Sequence, residues 1–230
     1  ENLQYYEENF KKRFNKNHIL ILGINKEDKT NNPIKYFNSL SIFDNNLDLI
    51  DSYNKINLVP FGEFLPIEGI LKKIGLRSLT NNYQSYTSGE QRDIIEIKIK
   101  NFSLKVLPLI CYEIIYSGKL FKDSNFDLII NISEDGWFGR SIGPKQHFAH
   151  SIFRAIESGK YLLRSSNNGI AAIVNPIGGI EKKVSFGNSG YLDFIEYKEV
   201  EQPFFSKIGN KIFGFLILLY ISFIFSFNRN

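Results

Sequence analysis

Apolar and polar residues repeat with two periods along this chain, one helical and one of two residues. Leu3, Tyr6, Phe10 and Phe14 recur at helical spacing, which predicts a polar-faced helix over residues 3–15. Residues 18–24 form a short apolar run, read as a strand. The Asn-, Asp-, Lys- and Thr-rich residues 25–33 predict a turn. Residues 34–43 and 47–53 predict a hairpin joined at Asp44-Asn45-Asn46. From Asp93 to Lys98, Ile95 and Ile97 alternate with Ile94, Glu96 and Lys98, which predicts a strand turning at Lys100-Asn101. The strand it turns into is the apolar run from Leu104 towards Cys111, Tyr112 and Glu113. Residues 126–132 are continuously apolar apart from Asp127 and Asn131, as in a strand buried on both faces.

A helix is predicted over residues 144–158, with Phe148, Ile152, Ala155 and Ile156 on one face and Gly159 at the stop. Strands over 161–165 and 169–174 follow, with turns at Asn175-Pro176 and Gly178-Gly179. Strands and helices interleave, so the fold class is α/β with mixed sheets. Residues 212–227 carry no charge and are apolar on every face, between Lys207 and Lys211 on one side and Arg229 on the other. A run of that length sits at the short edge of the roughly 17–25 residues that cross a bilayer. It predicts a C-terminal transmembrane helix, with the chain dividing into residues 1–206 and a membrane segment, 207–230.

Composition narrows the choice of partner. Hydrophobic residues make up 43% and charged residues 23%, so the body is globular. A net charge of +4 without a dense basic stripe argues against nucleic acid and is compatible with an anionic lipid surface. The chain starts at Glu1 without a cationic, apolar leader, so no signal peptide is read there. Cys111 is the only cysteine, so it has no disulfide partner within the chain. The bland role for such a residue is a small buried hydrophobe; the chemical role is a nucleophile at a strand end.

Three segments hold polar residues where packing alone does not call for them. Lys55 precedes an apolar stretch, and Glu63 follows it after the Pro60-Phe61-Gly62 turn. Cys111-Tyr112-Glu113 ends the apolar run. Glu134-Asp135-Gly136-Trp137-Phe138-Gly139 follows the strand over 126–132, where loops at the carboxyl ends of strands build sites. It carries the only tryptophan of the chain.

Lys55…Glu63, Cys111-Tyr112-Glu113, Asp135-Gly136-Trp137-Phe138-Gly139, and Arg154-Ala155-Ile156-Glu157 followed by Arg164 to Gly169 occur in this order. Together they resemble the carbon–nitrogen hydrolase (nitrilase) superfamily, over roughly residues 18–227. The wording around Val59-Pro60-Phe61-Gly62-Glu63, with the apolar tail, looks most like its bacterial apolipoprotein N-acyltransferase branch. The resemblance implies a nitrilase-like αββα sandwich over residues 1–206. It implies that Cys111 is the nucleophile, that Lys55 faces the oxyanion, and that Glu63 and Glu113 orient the lysine and the cysteine loop. Tyr112 and Trp137 would shape the acyl pocket. The implied reaction moves a fatty acyl chain from a phospholipid, through a cysteine thioester, to the N-terminal amine of a lipid-modified apolipoprotein. The implied location is the bacterial inner membrane, with the globular part on the periplasmic side. No cofactor and no metal are implied; His147 and His150 at i, i+3 lack a third ligand of suitable spacing.

Two other readings stand beside it. One is a hydrolase acting on small amides or nitriles; the other is a membrane-tethered domain without catalysis. The family's base glutamate lies on a strand ahead of the first helix, and here Glu1 is the only carboxylate near that place. The chain is therefore expected to be a fragment that lacks the base and is inactive by itself. Glu134 stands where the family usually has asparagine.

Overall fold

The computed structural model describes residues 2–67, 85–99, 102–118 and 125–227. The expected turn at Lys100-Asn101, the readings of Glu1 and Arg229, and the side chains of Leu3 and Tyr6 lie outside the described residues. The strands form two sheets. The chain divides into two compact units, Glu1–Glu113 with Ile130–Ser133, and Ile114–Ile129 with Glu134–Asn230.

The first unit opens with helix α1 (Asn2–Arg13). A sheet in the order β1-β2-β3 follows, from β1 (Leu20–Asp28), β2 (Lys35–Phe43) and β3 (Leu49–Asn54). β1 runs four residues beyond the predicted strand, into the stretch read as a turn. It pairs antiparallel with β2 along its whole length, to Asp28 opposite Lys35. The ladder satisfies the backbone whatever the side chains, so Asn25, Lys26 and Glu27 stay in the strand despite their polarity. The reversal comes later, where Asp28 accepts bonds from the Thr30 amide and hydroxyl and from Asn31. Leu47, read as strand, belongs to the β2–β3 turn, with φ of 68°. There Asp44 accepts the amides of Asn46 and Asp48.

β4 (Ile95–Ile99) pairs antiparallel with β5 (Phe102–Ile110), and β6 (Leu128–Glu134) is the next neighbour. Ile95 and Ile97 are buried and Glu96 and Lys98 exposed, as the alternation predicts. Between the sheets β2 packs on β5, and a Cβ on Gly23 of β1 would press on Ile132 of β6. Leu40 and Ile42 of β2 and Val106, Leu107 and Leu109 of β5 are buried.

The second unit centres on helix α2 (Gly143–Ser158) and the strands β7 (Tyr161–Asn167), β8 (Ala171–Val174) and β9 (Ile180–Val184), antiparallel in that order. Gly159 ends α2 at φ of 65°, its amide bonded to the Ala155 and Ile156 carbonyls. The buried face of α2 is turned from the predicted one. Phe148 and Ala155 are inside, but Ile156 is exposed, and His147, Ser151, Arg154 and Ser158 are buried. Most of these polar groups have bonds that offset the cost of leaving water: Ser158 to the Arg154 carbonyl, Arg154 to Glu157, His147 to Asp135.

Two helices close the chain, α3 (Phe204–Ile208) and α4 (Lys211–Phe227). No residue of α4 is buried. At 17 residues it is about 25 Å long. Among the described residues no helix is long and apolar enough to cross a membrane. The residues of the expected transmembrane helix form an exposed apolar helix over the described part of that segment.

Candidate active site

Lys55 follows directly on β3. Its amide donates to the Asn38 carbonyl at 2.8 Å, and its carbonyl accepts the Gly89 amide at 2.8 Å. A Cβ at Gly89 would drive into the Asn54 carbonyl oxygen, so only glycine fits this approach. The Lys55 side chain is fully buried, and its Nζ donates to both oxygens of Glu63 at 2.9 and 2.7 Å. Glu63 reaches back because the chain turns tightly through Phe61, at φ of 63°. Its Oε2 also accepts the Val59 amide at 2.8 Å, and its Oε1 accepts Asn38 Nδ2 at 2.8 Å. Neither oxygen is left to swing away from the ammonium.

Glu113 is completely buried. Its Oε1 accepts Arg92 Nη2 at 2.6 Å, Tyr53 Oη at 2.7 Å, and the amides of Ile56 and Asn57 at 3.1 Å each. Its Oε2 accepts the Ile110 amide at 2.9 Å. One carboxylate therefore holds the residue after Lys55 and the residue before Cys111. Burial pushes the Tyr53 hydroxyl well up, and the Glu113 charge adds to it, so Tyr53 stays protonated and donates. Burial works against the Arg92 charge, but the attraction of Glu113, then of Tyr53, outweighs it and raises Arg92 above its ordinary value. The guanidinium also lies 5.8 Å from the centre of the Tyr53 ring.

The predicted strand stops one residue short of the cysteine. β5 ends at Ile110, and Cys111 opens a one-turn 3₁₀ helix, Cys111–Ile115, at φ of 48°. A non-glycine residue at positive φ is held there by its surroundings, a strain concentrated at functional sites. Cys111 forms no disulfide and is half-buried, and Tyr112 is half-buried too.

The Trp137 loop belongs to the second unit. Asp135 is fully buried, bonded by Arg164 Nη2 at 3.0 and 2.8 Å and by His147 Nδ1 at 2.8 Å. Glu134 closes the loop base, taking the Gly136 amide and the amide nitrogens of Asn167 and Asn168. Trp137 itself is 65% exposed.

Lys55, Glu63 and Glu113, picked from sequence, thus come together in pairs and clamps within one unit. Arg92, Tyr53 and Asn38 were not singled out. A glutamate two residues past a buried run was the available signal for Arg92, since such a carboxylate calls for a cation. Among the described residues no group of three His, Cys, Asp or Glu could hold a metal.

The profile of the carbon–nitrogen hydrolase family matches residues 10–193. The chain belongs to that family. Relatives named apolipoprotein N-acyltransferase include those of Rickettsia prowazekii, 38% identical over 90% of this chain, and Wigglesworthia glossinidia brevipalpis, 37% identical over 84%. The chain spans 40% of the length of each. Among solved structures it is similar to Nit3 of Saccharomyces cerevisiae, a member of the nitrilase superfamily. The TM-score is 0.56 at 20% identity, over 81% of this chain and 61% of that one. A carbon–nitrogen hydrolase from Helicobacter pylori gives 0.53 at 15% identity, over 79% and 62%. These likenesses show a carbon–nitrogen hydrolase fold.

Proposed function

We propose that this chain carries the acyl-transfer centre of an apolipoprotein N-acyltransferase. The observation that carries the reading is the Glu113 carboxylate, which bonds the amides of Ile56 and Ile110 and so fixes the residues next to Lys55 and Cys111. In this reading Cys111 Sγ attacks the ester carbonyl of a phospholipid acyl chain. The C–S bond forms, the ester C–O bond breaks, and the lysophospholipid leaves as an alcohol with the proton given up by the thiol. The α-amine of a lipid-modified cysteine then attacks the thioester, the amide forms, and the thiol is regained. Lys55 gives two N–H groups to Glu63. An ammonium has three, so one remains for the oxyanion of each tetrahedral intermediate. Tyr112, next to the nucleophile, offers apolar surface to the acyl chain.

The exposed apolar α4 supports work at a membrane, since such a surface is costly in water. Its length covers most of a hydrocarbon core of about 30 Å, and the reading places it in the bacterial inner membrane with the globular part on the periplasmic side. A thioester shielded by lipid waits for an amine instead of hydrolysing.

The test joins the chain to the upstream part of a relative, which supplies the base glutamate, and reconstitutes it in vesicles of phosphatidylethanolamine bearing an alkyne-tagged acyl chain. The expected result is a hydroxylamine-labile adduct on Cys111, absent in Cys111→Ser and passed to a lipid-modified cysteinyl peptide. Ammonia released from small amides, without an acyl adduct, would instead favour the hydrolase reading.

A further inference from the structure

Residues 136–142 are exposed without interruption, and three of them are large and apolar: Trp137 at 65%, Phe138 at 38% and Ile142 at 65%. The tip they form is tied down by bonds at its base and at its end. Its base is the buried Asp135, bonded by Arg164 and His147. The Phe138 ring sits 5.4 Å from the His147 ring, and a Cβ at Gly143 would run into it. Ser141 Oγ donates to the Phe138 carbonyl and accepts the Gly143 amide. The Ile142 carbonyl accepts the amides of Lys145 and Gln146, the first bonds of α2. Nothing in this scaffold lets the apolar side chains fold inward, so the loop presents them outward at a standing cost in water.

We propose that the 136–142 loop is a membrane-interface anchor that seats Trp137, Phe138 and Ile142 among lipid headgroups and upper acyl chains. The choice of a lipid surface over a protein partner rests on charge and ring chemistry. Arg140 sits between the apolar residues and Lys145 just beyond them, both exposed, where they meet lipid phosphates. An indole has an apolar body and one N–H donor, which suits the boundary between hydrocarbon and headgroups. The inference rests on the membrane-bound reading above and adds a second attachment, independent of α4, that holds this loop at the level where a donor acyl chain leaves the bilayer.

Trp137 is the only tryptophan of the chain, so its fluorescence reports this loop alone. The chain is bound to vesicles of phosphatidylethanolamine and phosphatidylglycerol, with bromine on the acyl chains in one preparation. The expected result is emission moved to shorter wavelength, strong quenching by brominated lipid and protection from aqueous iodide. The double variant Arg140→Glu/Lys145→Glu is expected to lose most of that quenching while α4 keeps it vesicle-bound. Trp137 still open to iodide on vesicle-bound chain overturns the inference. So does equal quenching in detergent micelles holding one brominated phospholipid per chain, which marks a ligand pocket instead of an interface. An acyl adduct on Cys111 with Trp137 in water would sink the anchor and leave the transferase standing. A lipid-buried Trp137 without any adduct on the chain joined to the base-supplying part of a relative would do the reverse.

Discussion

Arg92 Nη2 lies 2.6 Å from Glu113 Oε1, and the guanidinium is the counter-charge of a carboxylate with no access to water. Taking two charges out of water costs several kcal/mol, offset only when the pair and its remaining bonds are complete. Here they are complete: Glu113 has five donors, and Arg92 also reaches Tyr53 Oη at 3.2 Å and Asn57 Oδ1 at 3.0 Å. Arg92→Met removes the cation and leaves the carboxylate. The expected loss is about 3–5 kcal/mol of unfolding free energy, read from urea denaturation. The double variant Arg92→Met/Glu113→Gln is expected to recover part of it, because no lone charge then remains buried. Equal losses in the single and double variants would mean that the pair is not coupled.

The Lys55–Glu63 pair separates binding from catalysis in a different way. Glu63→Gln keeps the shape and one acceptor oxygen but leaves the buried ammonium without a counter-charge, so stability and rate both fall. Lys55→Met keeps the volume and removes the charge that the proposed reaction sets against the oxyanion. Loss of one such electrostatic contact costs about 10²–10³ in rate. Thioester formation on Cys111, timed by mass spectrometry, is expected to slow by that factor in Lys55→Met. An unchanged rate would remove Lys55 from the chemistry and leave it a structural cation.

Much of the site could be read from sequence because three of its residues interrupt apolar stretches or follow them directly. Lys55, Cys111 and Glu113 each stand at a junction where a hydrophobic run meets a turn. Arg92 stands between Gln91 and Asp93 in a stretch without period, and looks like any solvated surface cation until the fold brings Glu113 to it. The length of β1 was hidden for a related reason: pairing with β2 is set by backbone bonds, and side-chain pattern carries no record of them. The rotated face of α2 escaped because helical periodicity counts apolar residues, whereas His147 and Arg154 are buried through specific bonds to Asp135, Glu157 and the Ile115 carbonyl.

Gly89 offers a test that leaves every charged group in place. A methyl at that position meets backbone, which cannot step aside as a side-chain end can. Gly89→Ala is expected to cost about 1–3 kcal/mol, as overpacking does, and to displace the carbonyl of Lys55 that the Gly89 amide now holds. Its thermal midpoint and its rate of Cys111 acylation should fall together. A drop in midpoint with an unaltered rate would show that the Lys55 backbone does not need this bond.

His150 gives the second unit a pH dependence of defined sign. Burial, then repulsion from Arg154 and His147, holds its pKa below the ordinary value of 6.5. The unfolded chain therefore binds a proton at pH values where the folded chain does not, and unfolding is favoured as pH falls below 6.5. Stability from this source is present above 6.5 and declines on acidification. In His150→Gln the slope of unfolding free energy against pH between 6.5 and 5 is expected to flatten. A slope equal to that of the unmodified chain would assign the acid sensitivity to other groups.

Asp135 holds two cationic or cation-capable partners, and its removal has consequences that differ between them. Arg164 is buried and gives both its contacts to Asp135 through Nη2, with Nε on the Ile170 carbonyl at 3.1 Å. Asp135→Asn leaves this guanidinium without its counter-charge, at a cost of about 3–5 kcal/mol. His147 gives Asp135 a single contact through Nδ1, whereas the guanidinium of Arg164 is always charged. Arg164→Met in the same background is expected to regain stability, whereas His147→Gln is expected to regain little. The Trp137 emission of the three variants separates fold from loop. On vesicle-bound chain, a loosened base should broaden it and open it to iodide in Asp135→Asn, while stability restored by Arg164→Met should not restore the loop, because its anchor remains gone.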